Sequence, residues 1–236
     1  MNILVQFPTL ARKKRFLECL RLYVGKVSGK HHLTFNINCD LDDLTMNNAD
    51  TINEIKEIFD GQSVCFDNMH FDRDTTKISA INDHINIEEF DVVICASDDM
   101  IPYVDGWDHK IATAMQDNYP DTDGCVSFSD GRDVGNLITF SIMGRKLYER
   151  FGYIYHPDYK GLYCDNEFTD EVNRLGKVTY IDEEIIGHEH YAEDGNRNSG
   201  KIDYAARKTL HFSGRDGIMY EKRKELGFPR ERISHD

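Results

Sequence analysis

Asp98 and Asp99 stand side by side at the end of the apolar run in "DVVICASDDM", residues 91 to 100. Each carboxylate raises the other's cost of ionisation. A divalent cation bound there would relieve that conflict, because hard cations take oxygen ligands from carboxylates. Asp is also common in turns and helix caps, so the pair needs company before it defines a site. A second group of candidates is "IIGHEHY", where His188 and His190 lie two apart. An extended segment turns both rings to one side. Either could offer a neutral imidazole to a metal, or both could simply face solvent.

The elements that must position these residues follow from hydrophobic periodicity. "NILVQF" (2 to 7), "LTFNIN" (33 to 38), "SVCF" (63 to 66) and "DVVICA" (91 to 96) read as strands. Between them, the stripe Phe16, Leu17, Leu20, Tyr23 and Val24, the stripe Ile52, Ile55, Ile58 and Phe59, and "KISAINDHI" (77 to 85) read as helices. This alternation predicts an α/β fold whose central sheet is mostly parallel and flanked by helices. Ligands of such sheets sit beyond the carboxyl ends of the strands. Thr9 with Arg12, Asp40, and Asp98 with Asp99 all fall at those ends.

After residue 100 the alternation becomes irregular. "GWDHKIATAM", "RKLYERFG" and "DNEFTDEVNRLG" read as helices, the last capped by Asp165 or Asn166 and stopped at Gly176. "GCVSFSDG", "NLITFSIMG", "KVTYI" and "EIIGHEHY" read as strands, and "DYAARKTLHF" and "GIMYEKRKELG" as two terminal helices. We divide the chain into one domain over 1–195 and a helical extension over 196–236 packed on it.

The 236 residues are 40% hydrophobic and 11% aromatic, too apolar for disorder, and no run reaches the roughly 20 apolar residues of a membrane span. The basic cluster after the first apolar run reverses the order of a secretory signal. Six widely spaced cysteines without a C-x-x-C pair predict reduced thiols, no zinc site, and a cytoplasmic protein. A formal charge of −14 argues against a generally basic nucleic-acid surface, although "ARKKR" and "EKRKELGFPRERI" concentrate positive charge locally.

The strand-end "SDD" with a parallel first half and a mixed second half resembles the nucleotide-sugar glycosyltransferases of the glycosyltransferase A fold, particularly family 2. "FPTLARKKRFLECLRLY" is similar to that family's first strand, P-T-x-x-R turn and first helix. "KISAINDHI" resembles the short helix with K/R-x-x-x-x-N that precedes the acidic motif. "GLYCDNEF" (161 to 168) resembles the E-D-x-[DE]-[FL] segment, with Cys164 where an acid is usual. The resemblance spans roughly residues 2 to 190 and implies a single Rossmann-like domain.

It also implies roles. Asp98 would face the ribose or a metal-bound water and Asp99 would hold Mn²⁺ or Mg²⁺, with the two roles exchangeable because the motif is a contiguous D-D. His188 or His190 would add a metal ligand. Asp165 would be the general base, with Glu167 second. Pro8, Thr9, Arg12 and Asp40 would hold the nucleotide, with Asp42 or Asp43 as neighbours that could take Asp40's place. Lys77 and Asn82 would lean over the diphosphate or sugar. The acid of "SDG" (129 to 131), Asp130, could bind sugar or acceptor hydroxyls, and Trp107, the single tryptophan, could stack on a sugar or anchor the core.

The expected activity is transfer of a sugar from a nucleotide-diphosphate sugar, UDP-linked by default, to an acceptor hydroxyl, with inversion because one carboxylate base suits direct displacement. Saccharide, protein and a modified base in viral DNA are the acceptors considered. A nucleotidyltransferase would be expected to carry a glycine-rich phosphate loop, and "FPTLARKK" has no glycine. A non-catalytic carbohydrate- or nucleotide-binding module is the remaining alternative.

Overall fold

β1 (Asn2–Thr9) carries an almost unbroken apolar run because it is buried on both faces, with Val5 and Phe7 fully enclosed. In the computed structural model, which describes residues 1–73, 75–131, 137–189 and 203–232, this strand lies inside a seven-stranded sheet. It pairs in parallel with β2 (His32–Asp40) and with β4 (Val92–Cys95). β3 (Cys65–Asp72) adds in parallel at the edge of β2. It runs well past the predicted "SVCF", because its polar, edge-strand sequence hides the extended conformation from a search for apolar runs.

A short ribbon departs after β4. β5 (Met100–Pro102) leaves the main sheet and pairs with β9 (Ile186–His188), antiparallel, with Met100 opposite His188. The main sheet continues through β7 (Ile142–Gly144), β6 (Cys125–Phe128) and β8 (Val178–Ile181), giving the order β3-β2-β1-β4-β7-β6-β8. β7 is antiparallel to β4 and β6, so it alone opposes the common strand direction. The mostly parallel sheet and the mixed second half both follow the sequence reading. "NLITFSIMG" supplies only the three residues of β7.

Helices cover both faces. α1 (Lys13–Gly25), α2 (Ala49–Phe59) and α4 (Trp107–Asn118) pack over one core that contains Phe7, Phe16, Tyr23, Phe35 and Trp107. Trp107 is fully buried, meets Tyr23 edge-on at 5.3 Å between ring centres and donates its indole N–H to the Tyr23 carbonyl at 3.0 Å. It is a core anchor, which removes it as a sugar platform. α3 (Lys77–Asn82), α5 (Arg145–Phe151) and α6 (Cys164–Arg174) close a second core with Phe90, Met143, Leu147 and Phe168.

α6 begins at Cys164, with Tyr163 as its cap residue in the left-handed conformation at φ 62°. The helix therefore starts earlier than an Asp165 or Asn166 cap would place it. Asp165 falls in the first turn, where the helix dipole favours a negative charge.

α7 (Tyr204–His211) and α8 (Ser213–Glu225) fold back onto the sheet domain. The predicted boundary near residue 196 lies outside the described residues. All six cysteines are free thiols, and among the described residues no helix is long and apolar enough to cross a membrane.

Candidate functional site

The end of β4 delivers Asp98 and Asp99 to different surroundings. Asp98 is buried and accepts a hydrogen bond from Arg12 Nη1 at 2.9 Å. Arg15, one turn into α1, donates Nε to the Asp98 carbonyl at 3.0 Å and Nη2 to the Glu189 carbonyl at 2.8 Å. The first helix thereby ties the acidic loop to the segment that follows β9. Burial pushes the Asp98 carboxyl above its ordinary pKa, with Arg12 opposing and the charge of Asp99 adding to the rise.

Asp99 moves the other way. Burial acts to raise it, but hydrogen bonding from His188 and from Ser97 Oγ, which lies 2.5 Å from Asp99 Oδ1, holds it well below the ordinary carboxylate range. The pair thus settles its repulsion by dividing the environment: one acid is enclosed and neutralised by arginine, the other is kept charged by polar donors.

The β5/β9 ribbon sets His188 opposite Met100, so its ring meets the residue just before. His188 Nε2 lies 3.9 Å from Asp99 Oδ2. His190 lies outside the described residues. A carboxylate oxygen and an imidazole nitrogen at that separation suit one divalent transition metal between them, since Mn²⁺ accepts both donor types. Among the described residues no cluster of three or more metal-ligating side chains occurs, so Asp99 and His188 fit a cation only if other oxygens, such as those of a diphosphate and water, complete its shell.

Lys77 opens α3, whose start is fixed by the reciprocal capping box of Thr76 and Ser79. The residue is exposed overall, with its ammonium end enclosed by neighbouring side chains. Crowding there disfavours its charge, yet Cys164, Asp99 and Asp165 together hold its pKa above the ordinary value. Asp165 is half-buried and accepts the N–H of Asn166 at 3.0 Å. Lys77 is therefore within electrostatic reach of both the strand-end acid and the helix-start acid. Cys164 is buried, and its thiol is pushed well above its usual pKa, so it does not replace the acid usual at that position.

Three candidates have structural duties instead. Glu167 is buried in the second core, with Arg223 donating Nε to Oε2 at 2.7 Å and Nη2 to Oε1 at 2.8 Å, and Tyr159 donating its hydroxyl to Oε2 at 2.8 Å. Both oxygens are occupied, which removes it from the role of second base. Asn82 donates to the Tyr155 carbonyl at 2.6 Å and accepts from Ile154 N and Tyr155 N at 3.0 and 3.1 Å. Its amide clamps a turn and does not lean over a cleft. Asp43 accepts the N–H of Ala11 at 2.6 Å and so shapes the β1–α1 turn, where Ala11 holds a left-handed φ of 54°. Asp40, the last residue of β2, is half-buried, and Asp42 is exposed.

Sequence reasoning missed what covers these residues. Asp203 caps α7 through Ala206 N and also grips Arg12 at two points, Nε–Oδ2 2.7 Å and Nη2–Oδ1 3.1 Å. Lys208, one turn on, reaches Asp40 Oδ2 at 2.6 Å. Pro8 is half-buried beside them in β1, and Thr9 is buried with a hydroxyl that has no hydrogen-bond partner among the described residues. An unsatisfied buried hydroxyl at a strand end is a place where a ligand gains a hydrogen bond. Asp216 of α8 accepts the N–H groups of Lys160, Gly161 and Leu162, which fixes the loop before Asp165. The "D-x-x-x-x-K" spacing of Asp203 and Lys208 was visible, but nothing local says which partners they meet. One cavity, of about 350 Å³, lies beside α4 and is lined by His109, Lys110, Phe128 and Glu183.

Several basic residues of the tail are held in ion pairs. Lys208 pairs with Asp40, Arg215 with Asp216, Arg223 with Glu167 and Asp158, and Arg230 with Glu171.

Neither a protein-family model nor a curated protein sequence matches this chain. Solved structures do. The mannosyltransferase PcManGT from Pyrobaculum calidifontis, in complex with GDP-Man and Mn²⁺, superposes with a TM-score of 0.60 at 12% identity, over 82% of this chain and 58% of that one. S. aureus TarS gives 0.59 at 10% identity over 88% and 41%, and its 1–349 fragment in complex with UDP-GlcNAc gives 0.57 at 14% over 86% and 62%. The chain spans less than two thirds of the length of each of these neighbours. At such identities the likeness speaks for architecture: the chain has the fold of the nucleotide-sugar glycosyltransferases of the A type.

Proposed function

We propose that the protein is a metal-dependent glycosyltransferase that moves a sugar from a nucleoside-diphosphate sugar to an acceptor hydroxyl, with inversion. The observation that carries this reading is the meeting of Asp99, in the loop after β4, with His188 from the β5/β9 ribbon at 3.9 Å. Asp98 and Asp99 end β4, His188 is brought beside Asp99 by the β5/β9 ribbon, and Asp165 opens α6 with Lys77 in electrostatic reach of both acids.

Asp99 and His188 would hold Mn²⁺ or Mg²⁺, and such a cation, when bound, neutralises the charge of a departing diphosphate. Lys77 adds a fixed positive charge on the same side, where negative charge grows as the glycosidic bond breaks. Asp165 takes the proton of the acceptor hydroxyl, which then attacks the anomeric carbon opposite the leaving diphosphate. Thr9, Arg12, Asp40 and Asp98 hold the nucleotide. For them to do so, Arg12 and Asp40 must exchange their present partners on α7 for the donor.

UDP-sugars are the first donors to test and GDP-mannose the second, since both nucleotides occur among the neighbours. A saccharide is the acceptor we favour, because a formal charge of −14 disfavours a nucleic-acid acceptor. The deciding experiment is thermal unfolding with each nucleotide sugar, in Mn²⁺ and in chelator. A ligand at 100 times its Kd stabilises by roughly 2.7 kcal/mol. A metal-dependent rise with one donor, followed by release of its nucleoside diphosphate when an acceptor saccharide is added, supports the reading. A rise without any turnover would leave a binding module.

A further inference from the structure

Asp130 sits in the turn after β6 and faces the far side of the same imidazole that meets Asp99. His188 presents Nε2 to Asp99 Oδ2 at 3.9 Å and Nδ1 to Asp130 Oδ2 at 4.0 Å. Two further contacts of Asp130 and one of its neighbour Gly131 fix it there. The His188 N–H donates to the Asp130 carbonyl at 3.4 Å, Thr139 Oγ1 donates to Asp130 Oδ2 at 2.9 Å, and Gly131, at φ 83°, turns the chain away with its N–H on Ser129 Oγ at 3.2 Å. The Asp130 side chain is only 9% exposed, which leaves little of it open to a sugar or acceptor hydroxyl.

An imidazole that ligates a metal does so through one bare nitrogen, and the other must then carry the proton. A carboxylate facing that second nitrogen favours the N–H over a lone pair, and so fixes the tautomer and the plane of the ring. We propose that Asp130 is a positioning residue for His188: when a cation takes Nε2 in place of the proton now shared with Asp99, Asp130 keeps a proton on Nδ1 and holds the plane of the ring, and thereby prepares the two-residue cation site. The Thr139 hydroxyl keeps the carboxylate aimed. This inference rests on the transferase reading, in which Asp99 and His188 are the metal ligands, and it replaces the expectation that Asp130 binds sugar.

The test is Mn²⁺ affinity of the full chain, read by electron paramagnetic resonance of free and bound Mn²⁺, alone and with UDP or GDP. The wild type, Asp130→Ala, Asp130→Asn and His188→Ala are compared, with thermal unfolding in chelator as the measure of folding. Loss of the outer carboxylate should weaken Mn²⁺ binding by about 10- to 100-fold in Asp130→Ala. Asp130→Asn, which still offers an oxygen to Nδ1–H, should recover part of that loss. His188→Ala should bind at least as weakly as Asp130→Ala.

Equal Mn²⁺ affinity in Asp130→Ala and the wild type would overturn the proposal alone, including the case in which the variant only melts lower. Wild-type affinity in His188→Ala would overturn it through the ligand it serves. A wild type that takes up no Mn²⁺ with either nucleotide would overturn the metal-dependent reading itself. If Asp130→Ala does not fold, Asp130→Asn at full wild-type strength together with a wild-type-like Thr139→Val would equally overturn it.

Discussion

Asp203 and Arg12 form a two-point ion pair across 191 positions of sequence, and the same arginine holds the buried carboxylate of Asp98. α7 is attached to the strand ends by this pair and by Lys208–Asp40, while none of its eight residues is buried. Its hold on the domain is polar and falls on the residues we assign to the donor nucleotide.

Removing that hold should favour the donor. Ion pairs of partly exposed side chains contribute about 0.2–1 kcal/mol each, and Asp203 also caps α7, which adds about 1 kcal/mol to that helix's stability. Asp203→Ala with Lys208→Ala removes both pairs and is expected to tighten UDP–Mn²⁺ binding by up to roughly 30-fold in titration calorimetry, on the ion-pair range alone. Weaker binding in the double variant would show instead that α7 is a wall of the donor site.

Asp99 and Asp165 should separate binding from transfer. Asp99→Asn is expected to abolish Mn²⁺-dependent nucleotide binding. Asp165→Asn should bind the donor as the wild type does and lose about 10²- to 10⁴-fold in turnover, the range for a general base. Metal-dependent binding that survives in Asp99→Asn would move the ligand role to Asp98. Full turnover in Asp165→Asn would remove it as the base.

Glu167 is expected to matter for folding more than for chemistry. It is buried with Arg223, and removing one partner of such a pair leaves an uncompensated charge at a cost of about 3–5 kcal/mol. Arg223→Ala should lower the unfolding free energy by about that much. Glu167→Gln should melt lower, yet its folded fraction should retain nucleotide binding and most of its turnover. Loss of turnover in a fully folded Glu167→Gln would return it to the catalytic candidates.

Acid stability should carry the signature of Asp123. Hydrogen bonds from Arg150, then burial opposing them and Lys177 assisting, leave its carboxyl at about 2, below the ordinary 3.8. A depressed carboxylate binds fewer protons folded than unfolded, so its contribution is full above the ordinary value and is lost as pH falls from about 3.8 through about 2. Denaturation by urea between pH 5 and 2 should show stability falling with acid less steeply in Asp123→Asn than in the wild type. Identical slopes would mean that the pairs with Arg150 and Lys177 do not act on this group in solution.

Much of the architecture was readable because it is local. The apolar runs of β1, β2 and β4 and the stripes of α1 and α2 state their own conformation, and a chain alternating between the two has few ways to fold other than a mostly parallel sheet. Asp98 and Asp99 were visible for the same reason, as charges that end a buried strand. Identity of partners is a different kind of information. Glu167 and Asp165 are two residues apart on one helix, yet one is enclosed by Arg223 from α8 and the other is half-buried and acts on the charge of Lys77.

Asn82 looked like a ligand-facing amide until the 154–155 turn came to rest on it, and Asp130 looked like a turn residue until β9 placed His188 against it. The sequence by itself determined the strand order's raw material, the strand-end acids and the helix that begins beside Asp165. Tertiary structure alone decided which acid keeps its charge, which histidine meets it, and that α7 lies on Arg12 and Asp40. The physical reason is range: periodicity records how a residue meets its neighbours within a turn or two, whereas a carboxylate's chemistry is set by whichever cation or donor the folded chain brings within a few ångströms of it.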